Sequence, residues 1–201
     1  MLSKELLGVL SIAFAVVANG IYFWSVLKGR TRPHAFSWII WGLITGVTFF
    51  AQLSGGAGSG AWAMGVTSII CFVGAFLAVL KGERDIKKSD LAAFFGALAA
   101  ILLWYFTSDP LNAVVVACAV EMLAFYPTYR KSWNKPHDEL AFTYSVDTVK
   151  QVISLFAMET YSVTTVLYPA AIIVIQGGFI VMLLWRRAVL SQGKKSYIKL
   201  P

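Results

Sequence analysis

Glu121, Asp147 and Lys150 are the only Asp, Glu or Lys side chains set well inside long apolar stretches of this 201-residue chain. Charges in hydrocarbon are costly, so each must meet a partner, a water-filled cavity or a proton. Glu121 stands nine residues before Arg130, and Asp147 ten residues after His137. At ~1.5 Å per helical residue both carboxylates come to similar depth, about 14–15 Å from the nearest basic loop. Lys150 lies one turn from Asp147 on nearly the same face. It can pair with Asp147 within the helix or with Glu121 across the bundle. Two acids facing one base leave one negative charge over. A proton, a bound cation or a substrate amine can meet it, as a proton-coupled carrier requires; Asp147 is the main candidate, with Glu121 and Lys150 beside it. The alternative is a locked ion network that only ties two helices together.

The elements that must position these groups are membrane helices. The chain is 58% hydrophobic and 13% charged, more apolar surface than a water-soluble domain of this length could hide. Apolar stretches at 5–27, 35–54, 60–80, 91–107, 111–129, 140–158 and 161–185 predict seven transmembrane helices. The net charge of +7 does not point to nucleic acid, because of where it sits. Fifteen of the 17 Lys and Arg fall in alternate loops and the tail, including Lys28, Arg30, Arg32, Lys81, Arg84, Lys87, Lys88, Arg130, Lys131 and Lys135. Lys4 flanks the other side, where the loops are the glycine-rich stretch at 55–60, Ser108-Asp109-Pro110 and Glu159-Thr160. The positive-inside rule puts the N-terminus outside and the C-terminus in the cytoplasm. Short loops and no evident presequence suggest a bacterial inner membrane. Cys71 and Cys118 both fall inside spans and read as small packing residues. No nucleophile motif, metal-ligand cluster or nucleotide-binding glycine loop appears, so no enzyme activity, cofactor or metal is expected.

The chain also repeats itself. Tyr22, Lys28 and Pro33-His34 recur as Tyr126, Lys131 and Pro136-His137, at offsets of 103–104 residues. Past the Pro-His pair the offset becomes 106, which implies three extra residues within Asp138-Glu139-Leu140. Ser37, Trp41, Thr45 and Thr48 then fall on Thr143, Asp147, Gln151 and Ser154. Both sets step by four, four and three, so each lies on one helix face. Such a stripe belongs toward the bundle interior. Three spans end on the opposite side from where they began, so a second copy in the same orientation needs one more crossing. The expected architecture is therefore all-α: two parallel three-helix repeats, 1–81 and 110–187, joined by a linker helix within 82–109 and followed by a basic tail, 188–201.

A duplicated membrane unit with short loops encloses a site between its halves. Candidate solute contacts are Asn19, Trp41, Thr45, Thr143, Gln151 and Gln176. Candidate hinges are Pro127 inside span 5, Pro169 in span 7, and Gly177-Gly178. Trp24, Trp133 and Trp185 read as interfacial belt residues, and so does Trp38. Pro33 and Pro136 are placed at the first helical position of spans 2 and 6.

In this 3+1+3 order, with its outside N-terminus and basic loops after spans 1 and 5, the chain resembles the PQ-loop superfamily, which includes the SWEET sugar transporters, lysosomal amino-acid exporters and the KDEL receptor. Of the family's Pro-Gln pair, Pro127-Thr128 keeps only the proline in the second copy, and Trp24-Ser25 at the matching place in the first keeps neither residue. The resemblance implies alternating-access transport of a small polar solute, with Asp147 at the place of a proton-coupling aspartate of the lysosomal branch. The asparagine pair of the sugar transporters is missing from spans 3 and 7. Trp38 and Trp41 resemble the tryptophans of the nicotinamide-riboside transporters. A ligand receptor of the KDEL-receptor kind, with no translocation, is the alternative. The expected partners are the solute and the bilayer, with a homo-oligomer left open.

Overall fold

A computed structural model describes residues 3–106 and 109–197, and among these it contains seven α-helices and no strand. They are α1 (Lys4–Leu27), α2 (Ala35–Ser54), α3 (Trp62–Lys81), α4 (Lys88–Tyr105), α5 (Pro110–Asn134), α6 (Ala141–Ala157) and α7 (Val163–Tyr197), with a 3-10 turn at Gly58–Ala61 leading into α3. Among the described residues, five helical segments are long and apolar enough to cross a membrane: α1, α2, Gly58–Lys81, α5 and α7 up to Ser191. α6 is not among them; it has 17 residues and carries Asp147 and Lys150. The surface agrees with a lipid environment. Phe50, Ile69, Phe76, Phe156, Val174 and Val181 are exposed, while Ser37, Thr48, Gln52, Lys150 and Ser154 are buried. That is the reverse of the usual water-soluble arrangement.

Local signals set most helix ends. Ser3 caps α1 by accepting from the Leu6 N–H (3.2 Å), and Asp109 caps α5 by accepting from the Leu111 N–H (2.8 Å), with Pro110 opening the helix. Asp90 accepts from the Lys87 N–H (2.9 Å) at the start of α4. Pro33 and Pro136 do not open α2 and α6, contrary to the sequence expectation; those helices begin at Ala35 and Ala141. Both proline carbonyls are instead held by neighbours, Pro33 by the Glu83 N–H (2.9 Å) and Pro136 by the Arg187 Nε–H (3.0 Å), so both loops stay non-helical for longer. α7 runs twelve residues past its expected end at 185, through most of the expected tail; residues 198–201, Lys199 among them, lie outside the described residues, as does Ser108.

The packing has an internal correspondence. α1 packs on α3 and α6, α2 on α3 and α5, α5 on α7, and α6 on α7. Exchanging α1, α2 and α3 for α5, α6 and α7 maps these pairs onto one another, whereas the smaller α2–α7 contact has no comparable counterpart. α4 lies outside the exchange, against α5 and α2. Hydrogen bonds at the basic end follow the same exchange: Lys81 of α3 donates to the Leu27 carbonyl (3.1 Å), and Arg186 of α7 donates to the Trp133 carbonyl (2.8 Å). Small residues allow the close approaches. A Cβ on Gly74 would stand 2.0 Å from the Trp38 ring, so α3 meets α2 only because Gly74 has none.

The repeated motif itself has diverged in environment. Tyr22 and His34 are each 1% exposed, whereas Tyr126 is 45% exposed and His137 is also exposed. Lys131 is buried, and Lys28 is exposed.

Candidate functional site

α1, α2, α3, α5, α6 and α7 converge on a central cavity of about 70 Å³. At roughly 10–15 Å³ per water by this measure, it holds a few waters or one small group. α1 contributes Asn19 and Tyr22; α2 contributes Trp38, Trp41 and Thr45; α3 contributes Thr67 and Cys71. The remaining wall is Glu121 and Phe125 of α5, Tyr144, Asp147, Lys150 and Gln151 of α6, and Tyr168, Ile172 and Gln176 of α7. The two polar stripes do face inward: Ser37, Trp41, Thr45, Thr48, Thr143, Gln151 and Ser154 are buried, and Asp147 is partly so.

All three charges meet at this cavity. Of the two pairings open to Lys150, the structure has the one within α6: Nζ lies 2.6 Å from Asp147 Oδ1 and also donates to Thr67 Oγ1 of α3 (3.2 Å). Lys150 is completely buried. Asp147 Oδ2 accepts from Gln176 Nε2 (2.9 Å), and Gln176 Oε1 accepts from the Thr148 hydroxyl (3.2 Å), so α7 fixes the acid from the other side. Glu121 is different. It is 2% exposed and accepts from the Tyr168 hydroxyl (3.0 Å), with the Trp41 indole N–H also facing its carboxyl. Among the described residues it has no ion-pair partner. The uncompensated carboxyl of the layer is therefore Glu121, while Asp147 is already matched.

The other expected contacts divide. Asn19, Trp41, Thr45, Gln151 and Gln176 line the cavity. Thr143 is buried but off the cavity wall, and its hydroxyl has no partner. Asn19 donates to the Ala15 carbonyl (2.8 Å) and Thr45 to the Trp41 carbonyl (2.6 Å). Gln151 Oε1 is buried without a partner, and Trp41 Nε1 has no close hydrogen bond but faces the Glu121 carboxyl. Trp38 is not an interfacial residue: it is 5% exposed, lies against Tyr22 and Gly74, and lines the cavity. Trp24, Trp133 and Trp185 are about half exposed, at 53%, 45% and 52%, and Arg or Lys groups lie over all three rings.

One of the two helix prolines is answered from α2. Pro169 cannot donate to the carbonyl one turn earlier, that of Thr165; Gln52 Nε2 supplies the missing hydrogen bond (3.0 Å). At Pro127 the freed carbonyl is that of Leu123, and the Ser37 hydroxyl of α2 donates instead to the adjacent Ala124 carbonyl (2.6 Å), so only Pro169 has its missing bond supplied from α2. Gly177 and Gly178 lie off the cavity wall, and a Cβ at Gly177 would meet nothing within 4 Å.

A polar cluster lies beyond the cavity toward each end. Toward the basic loops, Glu139, 2% exposed, pairs with Lys131 of α5 and accepts from the hydroxyls of Tyr22 (3.0 Å) and Tyr144 (3.1 Å). Those two tyrosines are also cavity lining, so the floor of the cavity hangs from Glu139. Arg187 of α7 donates to the Glu139 carbonyl (2.6 Å). Asp90, beside His34 (3.5 Å), holds Arg130 through two hydrogen bonds (2.6 and 2.9 Å). Burial holds the His34 imidazole below its ordinary pKa, with the nearby Asp90 acting the other way. Burial opposes ionisation of Glu83, but the amides of Asp85 and Arg84 and the Lys135 ammonium (3.2 Å) outweigh it and hold that carboxyl at about 2. At the opposite end, Ser59 donates to the Ala157 carbonyl (3.1 Å) and Ser154 to the Gly60 carbonyl, pinning the 3-10 turn to α6.

Sequence reasoning assigned no site role to Glu139, Lys131, Tyr144, Tyr168, Phe125 or Ile172. A signal existed for one of them: Glu139 is the middle residue of the three that break the repeat offset. Tyr168 and Phe125 are single aromatics in apolar helices, and nothing local separates them from core.

What the structure defines is a helical bundle, with several helices apolar enough to cross a membrane, around a small, charged cavity. Compared with known proteins, the chain matches no family model, no curated protein and no solved structure.

Proposed function

We propose that the protein is a membrane transporter that moves a small polar solute by alternating access, coupled to a proton. Its architecture in this reading is two parallel three-helix units, α1–α3 and α5–α7, with α4 as linker, the N-terminus outside and the basic loops cytoplasmic. The correspondence of the main helix pairs supports the repeat, and the loop charges support the orientation. The PQ-loop resemblance belongs to the same proposal, carried by helix order and Pro127.

One observation carries the function: a central cavity among α1–α3 and α5–α7 holds two carboxyls against one ammonium, with a polar cluster lying beyond it toward each surface. A carrier needs a central site and two alternating barriers. The Glu139 hub serves as the cytoplasmic barrier and the 3-10 turn on α6 as the outer one. Glu121 holds the exchangeable proton, because Lys150 already neutralises Asp147. A locked network alone does not account for a carboxyl left without a cation in the middle of the bundle.

Proteoliposome flux tests this. With an imposed pH gradient, wild-type protein should accumulate a labelled solute, and Glu121→Gln should lose gradient-driven accumulation. Solute binding without flux for every solute bound would replace transport by the receptor reading.

A further inference from the structure

Resting on the transport reading, we infer that the cavity takes a small organic monocation, an amine or quaternary ammonium without a carboxylate, in exchange for the proton on Glu121. Three features select this class. First, charge. The Asp147–Lys150 pair is neutral, so ionised Glu121 gives the layer a charge of −1, which a bound monocation cancels in full. Glu121–COOH and the cation become the carboxylate–cation pair and a released proton, so the buried net charge is zero before and after.

Second, a carboxylate on the ligand would find no partner. Lys150 is the only Lys or Arg at the cavity wall, and Asp147 and Thr67 already hold its ammonium. An amino acid or a betaine would therefore strand its negative charge. A polyol fares no better, because among the described residues the lining side-chain atoms without a close hydrogen bond are only Gln151 Oε1 and Trp41 Nε1, and the latter faces Glu121.

Third, the wall is aromatic. Trp38 and Trp41 have ring centroids 5.7 Å apart, Trp41 and Phe125 5.2 Å, and Phe125 and Tyr144 6.0 Å. Their faces attract an alkylammonium while their area takes its methyl groups. Gln151 Oε1 accepts from an ammonium N–H where the ligand has one. The titratable groups facing Glu121 are Asp147 and Lys150 of α6, Cys71 of α3, Cys118 of α5 and Tyr168 of α7. Glu121 alone of the carboxyls among these lacks a cation, so it gives up the proton.

The test uses the full chain in detergent and in proteoliposomes, with tetramethylammonium and choline against glycine betaine, glycine and glucose. Betaine is the sharp control, being a quaternary ammonium with a carboxylate added. Tetramethylammonium or choline should raise the melting temperature and release one proton per bound cation in weakly buffered solution; betaine, glycine and glucose should do neither. Trp41→Leu should weaken cation binding about 5- to 30-fold, and Glu121→Gln should abolish proton release. Should Glu121→Gln fail to fold, the wild-type proton count and Trp41→Leu still decide the matter. In vesicles the exchange should follow the pH gradient and ignore membrane potential. Betaine binding as well as choline, or a neutral solute carried without proton release, overturns the monocation while leaving transport intact. If none of these solutes and no other small solute crosses the membrane, the transport reading falls and this inference with it.

Discussion

Glu139→Gln isolates the barrier toward the basic loops. Glu139 sits at 2% exposure and fastens Lys131, Tyr22 and Tyr144 together, and the two tyrosines form the cavity floor. Glutamine keeps the size and one acceptor oxygen but removes the charge. A hydrogen bond to a charged group is worth about 1.5–3 kcal/mol and a neutral one about 0.5–1.5, so the two tyrosine bonds together lose roughly 2–3 kcal/mol. At ~1.4 kcal/mol per decade, the closed arrangement loses about 30- to 150-fold in population against the opened one. Cys71 reports the change without any engineered probe, since it lines the cavity and is 5% exposed. In a Cys118→Ser background, a small impermeant thiol reagent applied from the basic-loop side should modify Cys71 about 30- to 150-fold faster in Glu139→Gln than in the parent protein. The substitution also strands the Lys131 ammonium, so melting must be followed in the same samples. The double change Lys131→Met/Glu139→Gln should restore melting while labelling stays fast. An unchanged labelling rate in folded Glu139→Gln protein would refute the gate.

Three further outcomes are expected. Lys150→Met should destabilise by about 3–5 kcal/mol because it leaves Asp147 unpaired, and adding Asp147→Asn should recover most of that loss; a double variant that melts no higher than the single one would contradict the pairing. Gln52→Leu should cost about 1–3 kcal/mol by orphaning the Thr165 carbonyl, and much less in a Pro169→Ala background where the helix amide is restored; equal costs in both backgrounds would show that Gln52 does not serve the proline. For topology, cysteines at Thr160 and Asp109 should react with an impermeant thiol reagent on intact cells and those at Arg32 and Lys87 should not; the reverse pattern would invert the proposed orientation. Thr160 is preferred to Gly58, which holds φ +56° and whose added Cβ would lie 2.2 Å from the Glu159 carboxyl.

Helix existence was legible from composition alone, because a span needs only some twenty consecutive apolar residues and lipid leaves the backbone no alternative but to bond within the helix. All seven expected segments correspond to helices, and most boundaries agree within a few residues. The ends that moved are those of α5 and α7, which continue past the expected apolar stretches into the basic segments, while Pro33 and Pro136, held by long-range bonds, stay outside the helices they were expected to open. The inward polar stripes were legible for a related reason: side chains four and three apart must share a face, and a polar face has one affordable direction in lipid.

The sequence by itself determined which charges had to be central, because three ionisable side chains at similar depth cannot each face hydrocarbon alone. Only the tertiary structure decided how they pair. Lys150 reaches Asp147 or Glu121 according to how α5, α6 and α7 are turned about their axes, and spacing along one helix carries no information about that rotation. Trp38 went from expected anchor to cavity wall for the same reason: Gly74, on another helix, makes the room it occupies. Glu139 shows the same limit in a loop. Its carboxylate matters because Lys131, Tyr22 and Tyr144, on three different helices, arrive around it, and convergence of that kind is a property of the packed chain rather than of any segment.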